Sequence, residues 1–348
     1  MYIPIIGGGI GGLCLAQGLQ KRGITATVHD RDHTPQFRGQ GWRVTIKEEG
    51  TRALRACLPD ELFERCLSAA IRPATRMVFM NHELVPMFSK DIPPVDGHFG
   101  INRQALREIL LTGLDIEFGH TFTHYDGPTA HFAGGATTTG DLLVGADGTG
   151  SAMRGQLLPD ATLDDLGHCL YGVTPFAGGY PDDLVDTFNR VTHPSGVALA
   201  VATCRPGDYF TWTLSGLPYG WAELRAGADP LRAAREAVAA FHPGVRRLLA
   251  EATEAIPVRL RSARPYGPWN DPHVTLLGDA AHTMSPGRGD GANTALRDAR
   301  LLATTLEEVA SGRVPLGPAK ALYEEEMLRY GFAAVEASRG NPFGPKTP

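Results

Sequence analysis

The chain has 348 residues, 43% hydrophobic and 20% charged, with 42 glycines, 26 prolines and a net charge of −5. That length calls for two domains or one large domain with an insertion, and the composition excludes extensive disorder and low complexity. The 33 basic and 38 acidic residues are spread along the chain, so no basic stripe is available to a nucleic acid, and none is expected as a partner.

The first 20 residues carry no charge, as in a signal peptide or a membrane span. They lack a basic leading segment, however, and Pro4 and six glycines interrupt them. A buried strand, a glycine turn and a helix account for them better, and no membrane span is expected. In that reading residues 2–6 are the strand, Gly7-Gly8-Gly9-Ile10-Gly11-Gly12 the turn, and residues 13–22 a helix ending at Gly23. Gly7 permits the tight turn, Gly9 lets the backbone approach a pyrophosphate, and Gly12 lets helix and strand pack closely. The anion then lies on the helix N-terminus. Residues 24–29 alternate like a second strand closing on Asp30, 18 residues after Gly12, where a carboxylate can take ribose hydroxyls. Pro4 is out of character in a central strand, since it lacks a ladder donor and belongs at a first or irregular position.

Further along, residues 75–80 and 83–88 read as a hairpin with Asn81-His82 as its turn. Residues 141–154 form a short buried strand that stops at Asp147-Gly148, then a helix start capped by Ser151. Taken alone, that is also how an ordinary strand ends. Residues 197–203 and 209–214 flank Arg205-Pro206-Gly207-Asp208 as a second hairpin. In its second strand Phe210, Trp212 and Leu214 share one apolar face, suited to covering by helices that start at Asp229-Pro230 and Pro243-Gly244. Tyr209, Thr211 and Thr213 share the mixed face, which is assigned to a substrate pocket, with exposure to water as the alternative.

Residues 274–282 then form another buried strand that delivers a carboxylate, Asp279, at its end. Glycines 287, 289 and 291 follow before a helix over residues 294–309. His282 reads as a packing or hydrogen-bonding residue. A last helix, over residues 318–338, buttresses this domain. No histidine pair has zincin spacing and no serine sits in a nucleophile elbow, so metal and hydrolase chemistry are set aside. The five cysteines, Cys14, Cys57, Cys66, Cys169 and Cys204, show no metal-type or redox-type spacing and read as free thiols in a reducing cytoplasm.

The three strand-end motifs, in this order and at these separations, resemble the FAD-dependent group A aromatic monooxygenases. These are the para-hydroxybenzoate hydroxylase and salicylate hydroxylase class, and the tetracycline-degrading flavin monooxygenases are similar in architecture. Ile101-Asn102-Arg103-Gln104-Ala105-Leu106-Arg107 is similar to the helix on which that family sets an arginine against FAD. The resemblance implies an α/β fold, with a Rossmann-like FAD-binding domain built from residues 1–71, 97–168 and 262–340. An antiparallel or mixed β-sheet substrate domain, residues 72–96 and 169–261, is inserted in it. A C-terminal helix and a tail, residues 341–348, complete the chain.

The resemblance also implies site roles. Gly7, Gly9 and Gly12 would hold the pyrophosphate, Asp30 the adenosine ribose, Arg31 the adenosine region, and Arg103 the ribityl and phosphate region. Asp147 and Gly148 occupy a motif tied to both FAD and nicotinamide binding. Asp279 would bond the ribityl chain, while Gly289, Gly291, Ala292 and Asn293 would line the isoalloxazine edge. Arg43 is a further cofactor candidate on its nearness in sequence to the first motif, and an ordinary surface arginine is the competing reading. No catalytic side chain is assigned. The implied activity is oxygenation of a small aromatic or polycyclic metabolite with NADH or NADPH and O2 through a flavin C4a-hydroperoxide. An FAD-dependent dehydrogenase or reductase, or a flavoprotein that binds a small molecule without turnover, stays open as an alternative.

Overall fold

Tyr2–Ile6 forms the central strand of a five-stranded sheet, whose order is Val274–Leu276, Leu143–Gly145, Tyr2–Ile6, Thr25–Asp30 and Ile116–Phe118. The computed structural model describes residues 1–35, 42–72, 74–205 and 207–339. Gly41, Pro206, Gly340 and the tail therefore lie outside the described residues. Every pairing in this sheet is parallel, which suits the three strands Tyr2–Ile6, Leu143–Gly145 and Val274–Leu276, buried on both faces. The three strands that carry the motifs are neighbours, and Ile6, Gly145 and Leu276 stand in register. Their C-terminal ends therefore open side by side, where parallel α/β sheets bind ligands.

Pro4 sits inside this strand after all. Tyr2 and Ile6 use their carbonyls toward the Leu143–Gly145 side, accepting from Asp141 and Ala146. By alternation, the missing donor of Pro4 faces the same side, where pairing begins only at Ile5. Gly140 makes room for the ring there, because a Cβ at that position would lie 2.2 Å from Pro4 Cδ.

The first helix, Ile10–Lys21, starts three residues earlier than the sequence reading placed it. Its glycines are helical because packing outweighs their poor helix propensity. A Cβ on Gly11 would press on Leu277 and Ala295, and one on Gly18 on Cys57 and Ala303. The Gly291–Ala310 helix likewise begins three residues before the expected 294. Leu316–Arg339 packs against it.

The second sheet has seven strands, in the order Glu254–Ala263, Leu163–Pro175, Tyr209–Ser215, Ala198–Cys204, Thr187–Thr192, Arg76–Asn81 and Pro86–Asp91. Segments from both interruptions of the first domain thus share one sheet. Its pairings are antiparallel except where Thr187–Thr192 meets Arg76–Asn81. Phe210, Trp212 and Leu214 are buried in a core with Leu199, Val201 and residues of the Pro230–Ala237 and Pro243–Ala250 helices. Gly172 clears space for the Trp212 ring, since a Cβ there would lie 2.0 Å from it.

The first hairpin turns later than the expected Asn81-His82. Asn81 Oδ1 accepts from the Glu83 and Val85 amides, and Leu84 takes a left-handed φ of 60°, so the return strand begins at Pro86. Among the described residues no helix is long and apolar enough to cross a membrane. All five cysteines are buried and free.

Candidate active site

Gly7 closes the first strand at φ 119°, and a Cβ on it would lie 2.3 Å from the Ala146 carbonyl oxygen, just before the Asp147 turn. Gly9 precedes a helix N-terminus that no side chain caps, and nothing lies within 4 Å of where its Cβ would stand. Gly12 packs against the Gly7 carbonyl, 2.2 Å from a would-be Cβ. The three glycines therefore have the geometry that a bound pyrophosphate requires.

Asp30 stands at its strand end as expected, but its carboxylate is turned onto the glycine turn. Oδ2 accepts from the Gly8 amide at 2.7 Å and Oδ1 from the Asp32 amide at 2.8 Å. Arg107, to which the sequence reading gave no role, completes this corner. Its Nε donates to the Gly8 carbonyl at 3.1 Å, and its Nη2 lies 3.7 Å from Asp30. The available signal was its spacing, one turn beyond Arg103 on the same face of the Arg103–Leu111 helix. Asn102 caps that helix, accepting from the Gln104 and Ala105 amides.

Arg103 is half-buried beside Asp279 and Tyr171. Burial lowers its pKa, Asp279 and Tyr171 oppose that shift, and Arg107 adds to it. Asp279 itself is exposed at the first position of the Asp279–His282 helix. Thr149 Oγ1 of the Asp147 loop reaches its Oδ2 at 3.4 Å. Gly278, at φ 61°, makes the bend that presents it. Asp147 Oδ2 accepts from the Ala152 and Met153 amides and so holds the helix that Ser151 caps, as expected. Arg154 clamps the second and third motifs together by donating to the Thr149 and Ala280 carbonyls at 2.7 and 2.8 Å.

Other candidates separate. Gly148 and Gly289 take φ of 81° and 67°, with open space where a Cβ would stand. Gly291, Ala292 and Asn293 form the first turn of a helix rather than the expected loop. Asn293 is a strut: its Oδ1 accepts from the Lys47 amide, and its Nδ2 donates to the Thr45 and Gly289 carbonyls. Arg43 is half-buried against Gly100, not an ordinary surface arginine. Arg31 is exposed and lines a cavity of about 500 Å³ with Thr149, Trp221, Arg225, Arg259 and Arg261. His282 is fully buried and bonds Asp298 at 2.7 Å, which is the packing and hydrogen-bonding role expected of it.

On the second sheet, Tyr209 donates to the Trp42 carbonyl and accepts from Asn102 Nδ2, both at 2.9 Å. Burial drives its phenol pKa upward. The mixed face therefore turns toward the Arg103 helix, and a cavity of about 310 Å³ opens there between Trp42, Asn102, Val173, Pro175 and Tyr209. Thr211 and Thr213 are half-buried on the same face.

Two buried polar atoms around the strand ends, Asp147 Oδ1 and Arg107 Nη2, have no hydrogen-bond partner among the described residues, and neither has Arg43 Nε beside Gly100. Buried polar groups are ordinarily satisfied. A guanidinium nitrogen and a carboxylate oxygen beside the glycine turn fit a dinucleotide, which offers phosphates to the first and hydroxyls to the second.

The family described as FAD binding domain matches residues 103–338, and the NAD(P)-binding Rossmann-like domain matches residues 5–54. FAD-dependent monooxygenase dbaB of Emericella nidulans is 30% identical, covering 87% of this chain and 86% of its own length. The chain belongs to the FAD-dependent monooxygenase family. Dual O-methyltransferase/FAD-dependent monooxygenase CTB3 of Cercospora beticola is 31% identical over 88% of this chain, which spans 42% of that longer protein. A crystal structure from Photorhabdus luminescens subsp. laumondii, named as a candidate FAD-containing monooxygenase, is 31% identical. It superposes with a TM-score of 0.83 over 97% of this chain and 96% of its own. FAD is the cofactor of this family.

Proposed function

We propose that this family member uses NADH or NADPH and O2 to hydroxylate, or otherwise oxygenate, a small aromatic or polycyclic substrate. The observation that carries this reading is the meeting of three strand ends with Arg103 and Asp279 beneath the mixed face of the second sheet. Bound FAD would supply hydride acceptance from the nicotinamide and activation of oxygen. The chain supplies position and charge. Gly7, Gly9 and Gly12 admit the pyrophosphate, and Arg107 offers it a cation. Asp279 offers an open carboxylate to the ribityl hydroxyls, while Asp147 has one free oxygen beside them. Tyr209, tied to Trp42 and Asn102, closes one end of the cleft and keeps water from the reacting atoms.

The direct test follows NAD(P)H oxidation, O2 uptake and incorporation of ¹⁸O into product across a panel of phenols. Oxidation of a substrate that proceeds without O2, given another electron acceptor, would overturn the monooxygenase reading in favour of a dehydrogenase. Asp279→Ala should weaken FAD binding about 10- to 100-fold, the equivalent of one charged hydrogen bond. Titration of the apoprotein with FAD checks this, and an unchanged affinity removes Asp279 from the site.

The arginine-lined cavity beside Thr149 suits the phosphates of the nicotinamide dinucleotide, with Trp221 available to stack on a base. Arg261→Glu should raise the KM for NADPH about tenfold, leave kcat nearly unchanged and reduce its dependence on salt. Steady-state kinetics at two ionic strengths test that, and an unaltered KM would place the nucleotide elsewhere.

A further inference from the structure

Strand register lines up one row of side chains on the face that carries Tyr209. Across the sheet it reads Ile256, Tyr171, Thr213, Ala200, Arg190 and Phe79. The adjacent row on that face reads Val173, Thr211, Ala202, Phe188 and Met77. The floor is thus aromatic or aliphatic at both ends, low in the middle, and carries one guanidinium. Arg190 is half-buried between Ala200 and Phe79, and its side chain makes no hydrogen bond or ion pair among the described residues. The carboxylate at the end of the second row, Glu254, pairs with Val173 and stands four strands away, about 19 Å at normal strand spacing. Lys90, at the other end of that row, adds positive charge opposite Met77.

A half-desolvated guanidinium with no internal counter-ion favours a planar anion that it can grip with two N–H groups. Tyr171, in the same row, adjoins Arg103, which itself stands beside Asp279, and so marks the cofactor end of the cleft. Arg190 lies three strands from it, about 14 Å. A ligand that reaches from one to the other must be longer than a single ring, and the flat floor calls for a flat one.

We propose that Arg190 is the specificity-determining residue of the substrate cleft. The substrate class is then a flat, fused-ring aromatic whose distal ring carries a carboxylate or an ionised hydroxy-carbonyl pair. This inference rests on the oxygenase reading for the identity of the cleft, while its test reads binding directly. Isothermal titration of the FAD-loaded protein with salicylate, 3-hydroxy-2-naphthoate and 2-naphthol separates ring length from charge. The naphthoate should bind at least about tenfold more tightly than either other probe.

Arg190→Ala should abolish the preference for the naphthoate over 2-naphthol, and Arg190→Lys should retain part of it, because charge remains while the fork is lost. Ala200→Leu should weaken both two-ring probes more than salicylate. FAD content and the melting midpoint report folding, and Arg190→Gln replaces the alanine variant if that one does not fold. A wild-type protein with no preference for the naphthoate overturns the proposal. So does an Arg190 variant that keeps the full preference or loses both two-ring probes equally. Absence of O2 uptake with every phenol would instead sink the oxygenase reading and leave the binding result standing.

Discussion

Asp298→Ala should cost about 3–5 kcal/mol of folding stability, the usual price of stripping the partner from a buried ion pair. Asp298 is fully buried. Its Oδ2 accepts from the Gly278 amide and from His282 Nε2, both at 2.7 Å, and its Oδ1 accepts from the Tyr330 hydroxyl at 2.5 Å. One carboxylate therefore joins the bend before Asp279, the helix after it, and the long C-terminal helix. Removing it strands three donors, one of them charged. Gly331 packs so closely on His282 that a Cβ there would lie 2.5 Å from the ring, so collapse around the lost group is hindered. Asp298→Asn keeps the shape but not the charge and should be milder. Urea denaturation monitored by circular dichroism checks both variants, and an unshifted midpoint for the alanine variant would show that the cluster contributes nothing.

The same pair gives stability a pH dependence of definite sign. Burial works against the His282 imidazolium, but Asp298 outweighs it, so the folded pKa lies above the ordinary value. The contribution of this pair is fully present below the unfolded pKa of about 6.5 and is lost as pH rises through the folded value. As pH rises above about 6.5 the wild type should therefore lose more stability than His282→Gln. Parallel slopes for the two proteins would rule the pair out as the source.

Gly12→Ala should release FAD and destabilise the first domain together. The added Cβ would sit 2.2 Å from the Gly7 carbonyl oxygen and 3.1 Å from Ala146 Cβ. The nearest of those atoms is backbone, so no side chain can rotate away, and the helix must lift from the strand. Overpacking of this kind costs about 1–3 kcal/mol. The displaced helix N-terminus and Gly9 would also move from the phosphates, weakening FAD by at least about tenfold. Gly9→Ala is the informative comparison. Its Cβ meets no protein atom within 4 Å, so it should leave the melting midpoint of the apoprotein nearly unchanged while still reducing FAD affinity. Equal effects of the two substitutions on apoprotein stability would contradict the division of labour between these glycines.

Much of the fold was legible where local rules decide it. Turn glycines, the Ser151 helix cap, the Asp229 and Pro243 helix starts, and the alternation of Phe210, Trp212 and Leu214 were all read from neighbours in sequence, while the Arg103 helix came from the family resemblance. Misplaced boundaries have physical causes. The helix that begins at Ile10 enlists glycines because the strand and other helices lie against it, and sequence alone does not show that contact. The hairpin at Asn81 shifted because one side chain captured two later amides and built a longer turn than two residues allow.

The candidate site divides in the same way. Gly7, Gly9, Gly12, Asp147 and Asp279 could be found because each belongs to a motif that follows a strand, and such a motif is a local pattern of apolar run, carboxylate and glycine. Sequence by itself thus determined the three strand-end motifs and the family to which they are similar. It did not determine that three strands separated by more than a hundred residues lie edge to edge. Nor did it show that Arg107 and Arg154 fasten the motifs to one another, or that Asn293 is consumed as a strut. The open guanidinium of Arg190, in line with Tyr171, was equally invisible. These depend on sheet order and cross-strand register, which follow from burying apolar faces across the whole chain. Periodicity can place a side chain on a face, but only the packed sheets decide what stands opposite it.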